Sequence, residues 1–448
     1  MTGHTSEADA YRDDRAHVFH SWSAQRALDP VVVTGGLGST FWDAAGTRYL
    51  DFSSQLVNLN LGHQHPKVVA AIQEQAAQLC TIAPSFANPA RSEAARRIAE
   101  VAPGDLSHVF FTNGGTEANE HAVKMARLTT GRHKILAAYR SYHGATTGSI
   151  TLTGDPRRWA NEPAMPGVVR FFGPYPYRSA FHSDSAEQEA ARALQHLEEV
   201  FMFEGPQTIA AVVLESVVGT NGILVPPPGY LAGVRELCDR HGVLLICDEV
   251  MSGFGRCGEW FAVDRWGVVP DLITFAKGVN SGYVPLGGVV LGEKVYDTFA
   301  ERPFPGGLTY SGHPLACAAA VATIDVMHEE RIPERVRDLG ERVVGPRLEK
   351  LRDRHPSVGE VRGLGLFWAI ELVRDPGTRE MLVPYNASGA AAKPMADVVA
   401  ACKARGVWPF THFNRVHVVP PLVITEEELL QGIDAIDDAL DAADAYVA

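Results

Sequence analysis

PDLITFAKGVNSGYVPLGG, residues 270–288, decides the reading of this chain. Its apolar run ends at Lys277, which has Ala276 and Gly278 on either side. Just upstream, VLLICDEVMSGFGRCG, residues 243–258, carries a second apolar run that ends in the acidic pair Asp248–Glu249. Short apolar runs bounded by turn residues read as buried strands. A lysine leaving such a strand is partly desolvated. That lowers its pKa and suits it to Schiff-base and proton-transfer work. The plain alternative for any lysine is a solvated surface group.

Outward from this stretch, β runs alternate with helical ones. Strands are predicted at 108–111, 134–137, 168–171, 209–214, 243–248, 271–275 and 287–291. Helices between them include 116–130, 185–203 and 228–241. Such alternation predicts an α/β fold with a mostly parallel sheet and helices on both faces. Before it, residues 1–30 read as an irregular arm, followed by a hairpin over 39–52 and helical spacing at 65–79 and 90–102. After about 315 the pattern changes. Helical stretches at 314–330 and 334–354 lead to strands near 358–362 and 365–372, a helix at 390–405, a strand at 415–419 and a last helix at 425–445. The segment 374–389 is the least structured interior stretch. The expected division is an arm and hairpin (1–55), a large domain (56–325) and a smaller α+β domain (326–448) that the hairpin joins.

Bulk properties fit that picture. At roughly 100–200 residues per domain, 448 residues give two or three folding units. Hydrophobic residues make up 46% and charged residues 21%, enough for a large core. A net charge of −13 argues against nucleic-acid binding, which needs a basic face. No apolar run reaches membrane-span length, and the N-terminus lacks an apolar signal core. The six cysteines are scattered without a CxxC pair, so buried free thiols and a cytoplasmic location are expected, with no metal site.

Four further motifs carry chemistry. FFTNGGTEAN, residues 110–119, is a strand, a glycine turn and a helix start. Gly114 and Gly115 let backbone approach an anion, and Thr116 adds a hydroxyl at a helix N-terminus, where the dipole favours phosphate. An ordinary loop capped by Asn113 is the alternative. Tyr142-His143-Gly144 follows the next strand, where an aromatic can cover a ring or simply sit in the core. Asp248 ends its strand, where α/β sheets place ligands; a helix cap or a pair with an arginine would explain it equally. Glu215, at the end of AAVVLESVVG, can orient groups around Asp248 or cap a turn. In LTYSGHPLACAAA, residues 308–320, Thr309 stands near a helix start and can meet a phosphate or cap the helix. A lysine for a Schiff base and an acid for a ring nitrogen are what pyridoxal 5'-phosphate needs.

Each motif alone is ambiguous, but their order and joint presence resemble the class III (ω-) aminotransferases of the type I pyridoxal phosphate fold, from about Trp42 to Leu422. The resemblance implies that Lys277 holds the cofactor as a Schiff base and later moves the proton between the substrate carbon and the cofactor. Asp248 would pair with the ring nitrogen. Tyr142 would stack on one ring face and Val250 on the other, with His143 beside them. Gly114, Gly115 and Thr116 would take the phosphate, and Glu215 would support Asp248. Thr309 matches a threonine that reaches the neighbouring subunit's cofactor. That implies a homodimer with shared sites, or a tetramer built from such dimers. An amine donor and an oxo-acid acceptor are the implied small-molecule partners.

Substrate choice is less defined. The family's usual arginine site before Pro420–Pro421 holds His417, and its mobile arginine corresponds to Phe410. Arg415 lies two residues from His417, on the same face of a strand. Arg415 and His417 together suit a carboxylate or sulfonate, whereas a structural ion pair for Arg415 is the alternative. Val57 stands where amine-specific relatives often carry tryptophan. Trp408 and Phe410, with Phe86 contributed by the partner subunit, complete an expected wall for a compact or linear substrate. These stretches look most like the taurine and ω-amino acid branch, with taurine, β-alanine, 4-aminobutyrate or arylalkylamines as donors and pyruvate or 2-oxoglutarate as acceptor. The same fold also hosts aminomutases, racemases and decarboxylases. A non-catalytic pyridoxal-phosphate-binding regulator fits poorly with an acidic chain, and a nicotinamide dehydrogenase is rejected for want of a GxGxxG.

Overall fold

A computed structural model describes residues 7–447. Its strands form two sheets of eight and seven. Three strands near the N-terminus begin one of them: β1 (Val33–Leu37), β2 (Thr40–Asp43) and β3 (Arg48–Phe52). The next seven make the central sheet: β4 (His108–Thr112), β5 (Lys134–Ala138), β6 (Val168–Phe171), β7 (Ile209–Glu215), β8 (Leu244–Asp248), β9 (Leu272–Phe275) and β10 (Gly287–Leu291). The outer sheet is completed by β11 (Val358–Leu364), β12 (Phe367–Asp375), β13 (Glu380–Met381), β14 (Val407–His412) and β15 (Arg415–Val418).

The central sheet runs β4-β10-β9-β8-β7-β5-β6. Strands β9, β8, β7, β5 and β6 pair in parallel, and β10 is antiparallel to both neighbours. Every residue of β7, β8, β9 and β10 is buried. Helices cover both faces of such a sheet, which is why these strands are unbroken apolar runs rather than alternating ones. Ligand groups therefore gather where the parallel strands end. Glu215 closes β7, Asp248 closes β8, and Lys277 follows β9 directly.

The outer sheet runs β1-β2-β3-β14-β15-β12-β11, with β13 paired to β12. The parallel pairing of β3 with β14 joins the N-terminal hairpin to the C-terminal block. Three of its strands, β1, β13 and β14, were not expected from the sequence, and β13 lies in the 374–389 stretch read as the least structured. β1 holds Gly35 and Gly36, and β14 holds Pro409, all poor strand formers. The single helix expected over 334–354 is three pieces. Ile332–Leu339 and Gly345–Arg354 flank a wider turn at Gly340–Val344. Gly340 lies so close to the Gly365 carbonyl that a Cβ there would come within 2.4 Å of its oxygen.

Among the described residues no helix is long and apolar enough to cross a membrane. Five of the six cysteines are buried free thiols, and Cys80 is exposed.

The last long helix, Glu426–Ala439, lies over β3. It starts with a capping box in which Thr425 and Glu428 bond each other's backbone N–H. A Cβ on its Gly432 would fall 2.0 Å from the fully buried Phe52 ring. Helix propensity alone favours alanine there by about 1 kcal/mol. Overpacking against a fixed ring costs about 1–3 kcal/mol and should win. Gly432→Ala is therefore expected to lower the urea midpoint; a raised midpoint would mean that propensity dominates and the contact is loose.

Candidate active site

A cavity of about 380 Å³ opens at the carboxyl ends of β7 and β8 and the turn after β9. Gly114, Gly115, Thr116, Tyr142, His143, Glu215, Asp248, Val250 and Lys277 all line it. Nine positions singled out from sequence are thus brought to one place. Thr309 is not among them; it lies exposed in the loop before helix Pro314–Glu329.

Asp248 is the best-held group. It is 4% exposed. Its Oδ2 accepts from Asn119 Nδ2 at 2.8 Å and meets His143 Nδ1 at 2.8 Å, while Oδ1 accepts from the Val250 N–H at 3.0 Å. Burial opposes a charge on His143, but Asp248 outweighs it, with Glu215 and Asp155 helping, and raises the imidazole's pKa. His143 Nε2 is buried without a partner. Asn119, which the sequence reading left without a role, sits one turn after Gly115 on the same helix, so both face the cavity. Thr274 Oγ1 donates to Asn119 Oδ1 at 2.8 Å and fixes which end of the amide meets Asp248. No arginine pairs with Asp248 among its described partners, so the ion-pair alternative is not what the fold builds.

Lys277 has φ +50°, a left-handed conformation that a non-glycine residue rarely adopts. Burial pulls its amine down to about 8, against the opposing pull of Asp248 and Glu215. Glu215 accepts from the Tyr142 N–H at 2.9 Å and the Gly219 N–H at 2.7 Å. Burial raises it to about 7, with His143 pulling down and Asp248 pushing up. It both caps the turn that follows β7, through the Gly219 N–H, and ties the Tyr142 loop to the end of that strand.

The glycine cradle fits an anion. Helix Gly115–Thr130 begins at the cavity, so its first N–H groups face inward. A Cβ on Gly115 would lie 2.8 Å from the Val250 side chain. Gly144, at φ +138°, has no room either: a Cβ there would meet Thr116 Oγ1 at 2.5 Å. The anticipated cap by Asn113 does not form; Gly114 is the N-cap residue, and the Asn113 N–H donates to Glu117. An anion cradle, a tethered acid and a buried lysine amine in one cavity are the fittings that pyridoxal phosphate requires.

The expected substrate wall is distributed differently. Leu56 and Asn58 line the cavity, whereas Val57 between them is buried in an apolar cluster with Val217, Ile223 and Met251. Phe410 packs at the edge of that cluster, its ring 5.0 Å from His417. Trp408 stacks edge-on with Phe41 and Tyr49, and Lys403 Nζ lies 3.6 Å from its ring centre. Phe86 is 59% exposed. Ser54, Gln55 and Val57 have φ of +43°, +59° and +58°. Non-glycine residues held there cost about 1–3 kcal/mol each and persist only where the surroundings fix them.

Arg415 is buried with Nε 3.5 Å from Glu371 Oε2, yet its Nε and Nη1 lack hydrogen-bond partners. Glu371 is already engaged by Tyr175, Arg178 and Arg362. His417 is fully buried with both ring nitrogens unpartnered, and burial together with Arg415 drives its pKa well down. His412 is lowered to about 3 by burial and the charges of Arg157 and Arg415. Arg157, unremarked in the sequence, places its guanidinium 3.7 Å from the Tyr142 ring centre and pairs with Asp155. None of Arg157, His412, Arg415 and His417 is among the residues that line the cavity.

The chain belongs to the class III aminotransferase family, which it matches over residues 22–440. It is 36% identical to the taurine–pyruvate aminotransferase of Bilophila wadsworthia, covering 94% of this chain and 95% of that protein. Identity is also 36% with the 5-aminovalerate aminotransferase of Pseudomonas aeruginosa, over 92% of this chain and 94% of that one. Among solved structures, a taurine:2-oxoglutarate aminotransferase from Bifidobacterium kashiwanohense in complex with PLP and glutamate superposes with a TM-score of 0.95. Its identity is 41%, covering 98% of this chain and 99% of that one.

Only the unprotonated Lys277 amine can attack an aldehyde. With its pKa near 8 rather than 10.5, the rate of cofactor uptake by stripped protein should climb with pH through a midpoint near 8 and level off about one unit above it. Stopped-flow absorbance checks this; a rate still climbing steeply beyond pH 9 would contradict the lowered amine.

Proposed function

We propose that this chain is a pyridoxal-phosphate-dependent aminotransferase. It moves an amino group from an ω-amino acid or primary amine of the taurine, β-alanine, 4-aminobutyrate or arylalkylamine type to pyruvate or 2-oxoglutarate by a ping-pong scheme. One observation carries this reading: Lys277 and the Asn119–Asp248–His143 set line the same cavity as the Gly114–Thr116 cradle. The substrate range is supported by the relatives at 36–41% identity that act on taurine and 5-aminovalerate by name.

When bound, pyridoxal phosphate draws electrons from the substrate carbon through a protonated ring nitrogen. This chain's residues do the rest. Asp248, braced by Asn119 and His143, keeps a proton on that nitrogen. Gly114, Gly115 and Thr116 hold the phosphate. Tyr142 and Val250 confine the ring from its two faces, and Glu215 keeps the Tyr142 loop in place. Lys277 Nζ would hold the cofactor, and with a donor amine bound in its place it would take the proton from the donor's amine-bearing carbon and pass it across the carbon–nitrogen bond. Its lowered pKa suits a base working near neutral pH.

The acid end of the substrate is met by Arg415, whose Nε and Nη1 have no other hydrogen bond, with His417 neutral beside it. An arginine fork suits a carboxylate or a sulfonate. The working unit is a homodimer with shared sites. Phe86 and Tyr310, exposed at 59% and 60% in the single chain, and Thr309 form the face turned to the partner. The arm and hairpin (1–55), the large domain (56–325) and the small domain (326–448) are the units of each subunit, joined where β3 meets β14. Buried free thiols fit a cytoplasmic location.

Absorbance of the purified holoenzyme tests the reaction. Taurine, β-alanine, 4-aminobutyrate or 1-phenylethylamine, added singly without oxo acid, should bleach the visible band of the lysine-bound cofactor. Pyruvate or 2-oxoglutarate should restore it. A band that no donor bleaches points to a mutase, racemase or decarboxylase instead. Arg415→Ala should raise the oxo-acid KM about tenfold or more with a smaller effect on kcat. An unchanged KM would remove Arg415 from substrate binding.

A further inference from the structure

Arg256 is among the largest side chains buried completely in this protein. Its acceptors are all neutral oxygens. Nη1 donates to the carbonyls of Leu366 (3.0 Å) and Pro420 (2.6 Å), and Nη2 to Ser54 Oγ (3.2 Å) and Asn60 Oδ1 (3.0 Å). Burial lowers its pKa to about 9, which leaves it charged at neutral pH. A buried charge without a carboxylate is costly, and an apolar side chain would fill the same space more cheaply. What only a guanidinium supplies is a rigid fork that reaches several acceptors at fixed angles.

Those acceptors come from three separate places. Ser54 and Asn60 bracket the segment that carries Leu56 and Asn58 into the cavity. Leu366 lies in the turn between β11 and β12, and Pro420 follows β15, the strand of Arg415 and His417. Arg256 itself continues the loop that leaves Asp248 through Val250 and Met251, both cavity residues. The bonds are reinforced around it. Ser54 Oγ donates to Val419 O at 2.7 Å, and Asn60 Nδ2 to Phe254 O at 2.8 Å. From the opposite side, Asp51 accepts from the N–H groups of Ser53 (3.0 Å) and Gln55 (3.3 Å) and from Gln55 Nε2 (2.9 Å). Residues 54–57 contain three left-handed non-glycine positions, which relax unless they are held from more than one side.

We propose that Arg256 is a positioning residue for substrate recognition: its guanidinium clamps Ser54 and Asn60 so that Leu56 and Asn58 face the cavity, and registers that wall against the Arg415 strand through Pro420. It touches neither substrate nor cofactor. It sets the distance between the two walls that a linear amino acid must span. A misplacement of about 1 Å at such a wall can cost about a hundredfold in rate.

The inference rests on the transaminase reading of the cavity. Holo Arg256→Lys keeps the charge but loses the fork. It should retain the visible cofactor band and a kcat within about threefold, while the KM for the amine donor rises about tenfold. The ratio of kcat/KM for β-alanine to that for 4-aminobutyrate should shift with it, because the span has changed. Ser54→Ala, which removes one acceptor of the fork, should move KM in the same direction, about threefold. If Arg256→Lys does not fold, Ser54→Ala decides alone. Wild-type KM and donor ratio in the folded variants would overturn the clamp. So would a loss confined to cofactor content and thermal midpoint, since that is what a purely structural staple predicts. A wild-type enzyme that accepts no amine donor would instead overturn the transaminase reading itself.

Discussion

A carboxylate fastened by three hydrogen bonds at the end of a buried parallel strand is the constraint on which this structure turns. Asp248 is gripped by Asn119, His143 and the Val250 N–H. Those partners come from the helix after β4, the loop after β5 and its own loop. The next strand in sequence and its neighbour in the sheet, β9, delivers Lys277 to the same cavity. Burial makes the lysine amine easier to deprotonate and the nearby Glu215 harder to ionise.

The central sheet explains why these groups meet. Only parallel strands place several carboxyl ends along one edge, and β7, β8 and β9, which lead to Glu215, Asp248 and Lys277, are buried throughout. Rigidity on the cofactor side contrasts with strain on the substrate side. There, residues 54–57 occupy left-handed backbone and are held from two directions by Asp51 and Arg256. The outer sheet is therefore more than a cover, because Pro420, just after β15, accepts from the same Arg256 guanidinium that bonds Ser54, at the start of the segment that brings Leu56 and Asn58 to the cavity.

The sequence made β4 through β10 legible because each is a short apolar-rich run between turn residues, and β7 to β10, buried throughout, are the most continuous of them. The β14 strand was not, because Trp408-Pro409-Phe410 has no strand pattern and its place depends on pairing with β3 at a distance no local signal records. Cofactor-side positions were legible as well, since each belongs to a short motif with its own chemistry. Asn119 stood inside the quoted FFTNGGTEAN stretch, and its i, i+4 relation to Gly115 was the available signal. The substrate wall was not legible. Whether Leu56 or Val57 faces the cavity depends on left-handed backbone, which periodicity does not encode. Arg157 reaches Tyr142 only through the tertiary fold.

The most direct test of this account is to locate the covalent bond it places at Lys277. Holoenzyme reduced with borohydride, digested and mapped by mass spectrometry should carry the cofactor's mass on the peptide containing Lys277, at near one label per chain. A label on a different lysine, or no label on a protein that shows the visible band, would contradict the assignment around which the site is built.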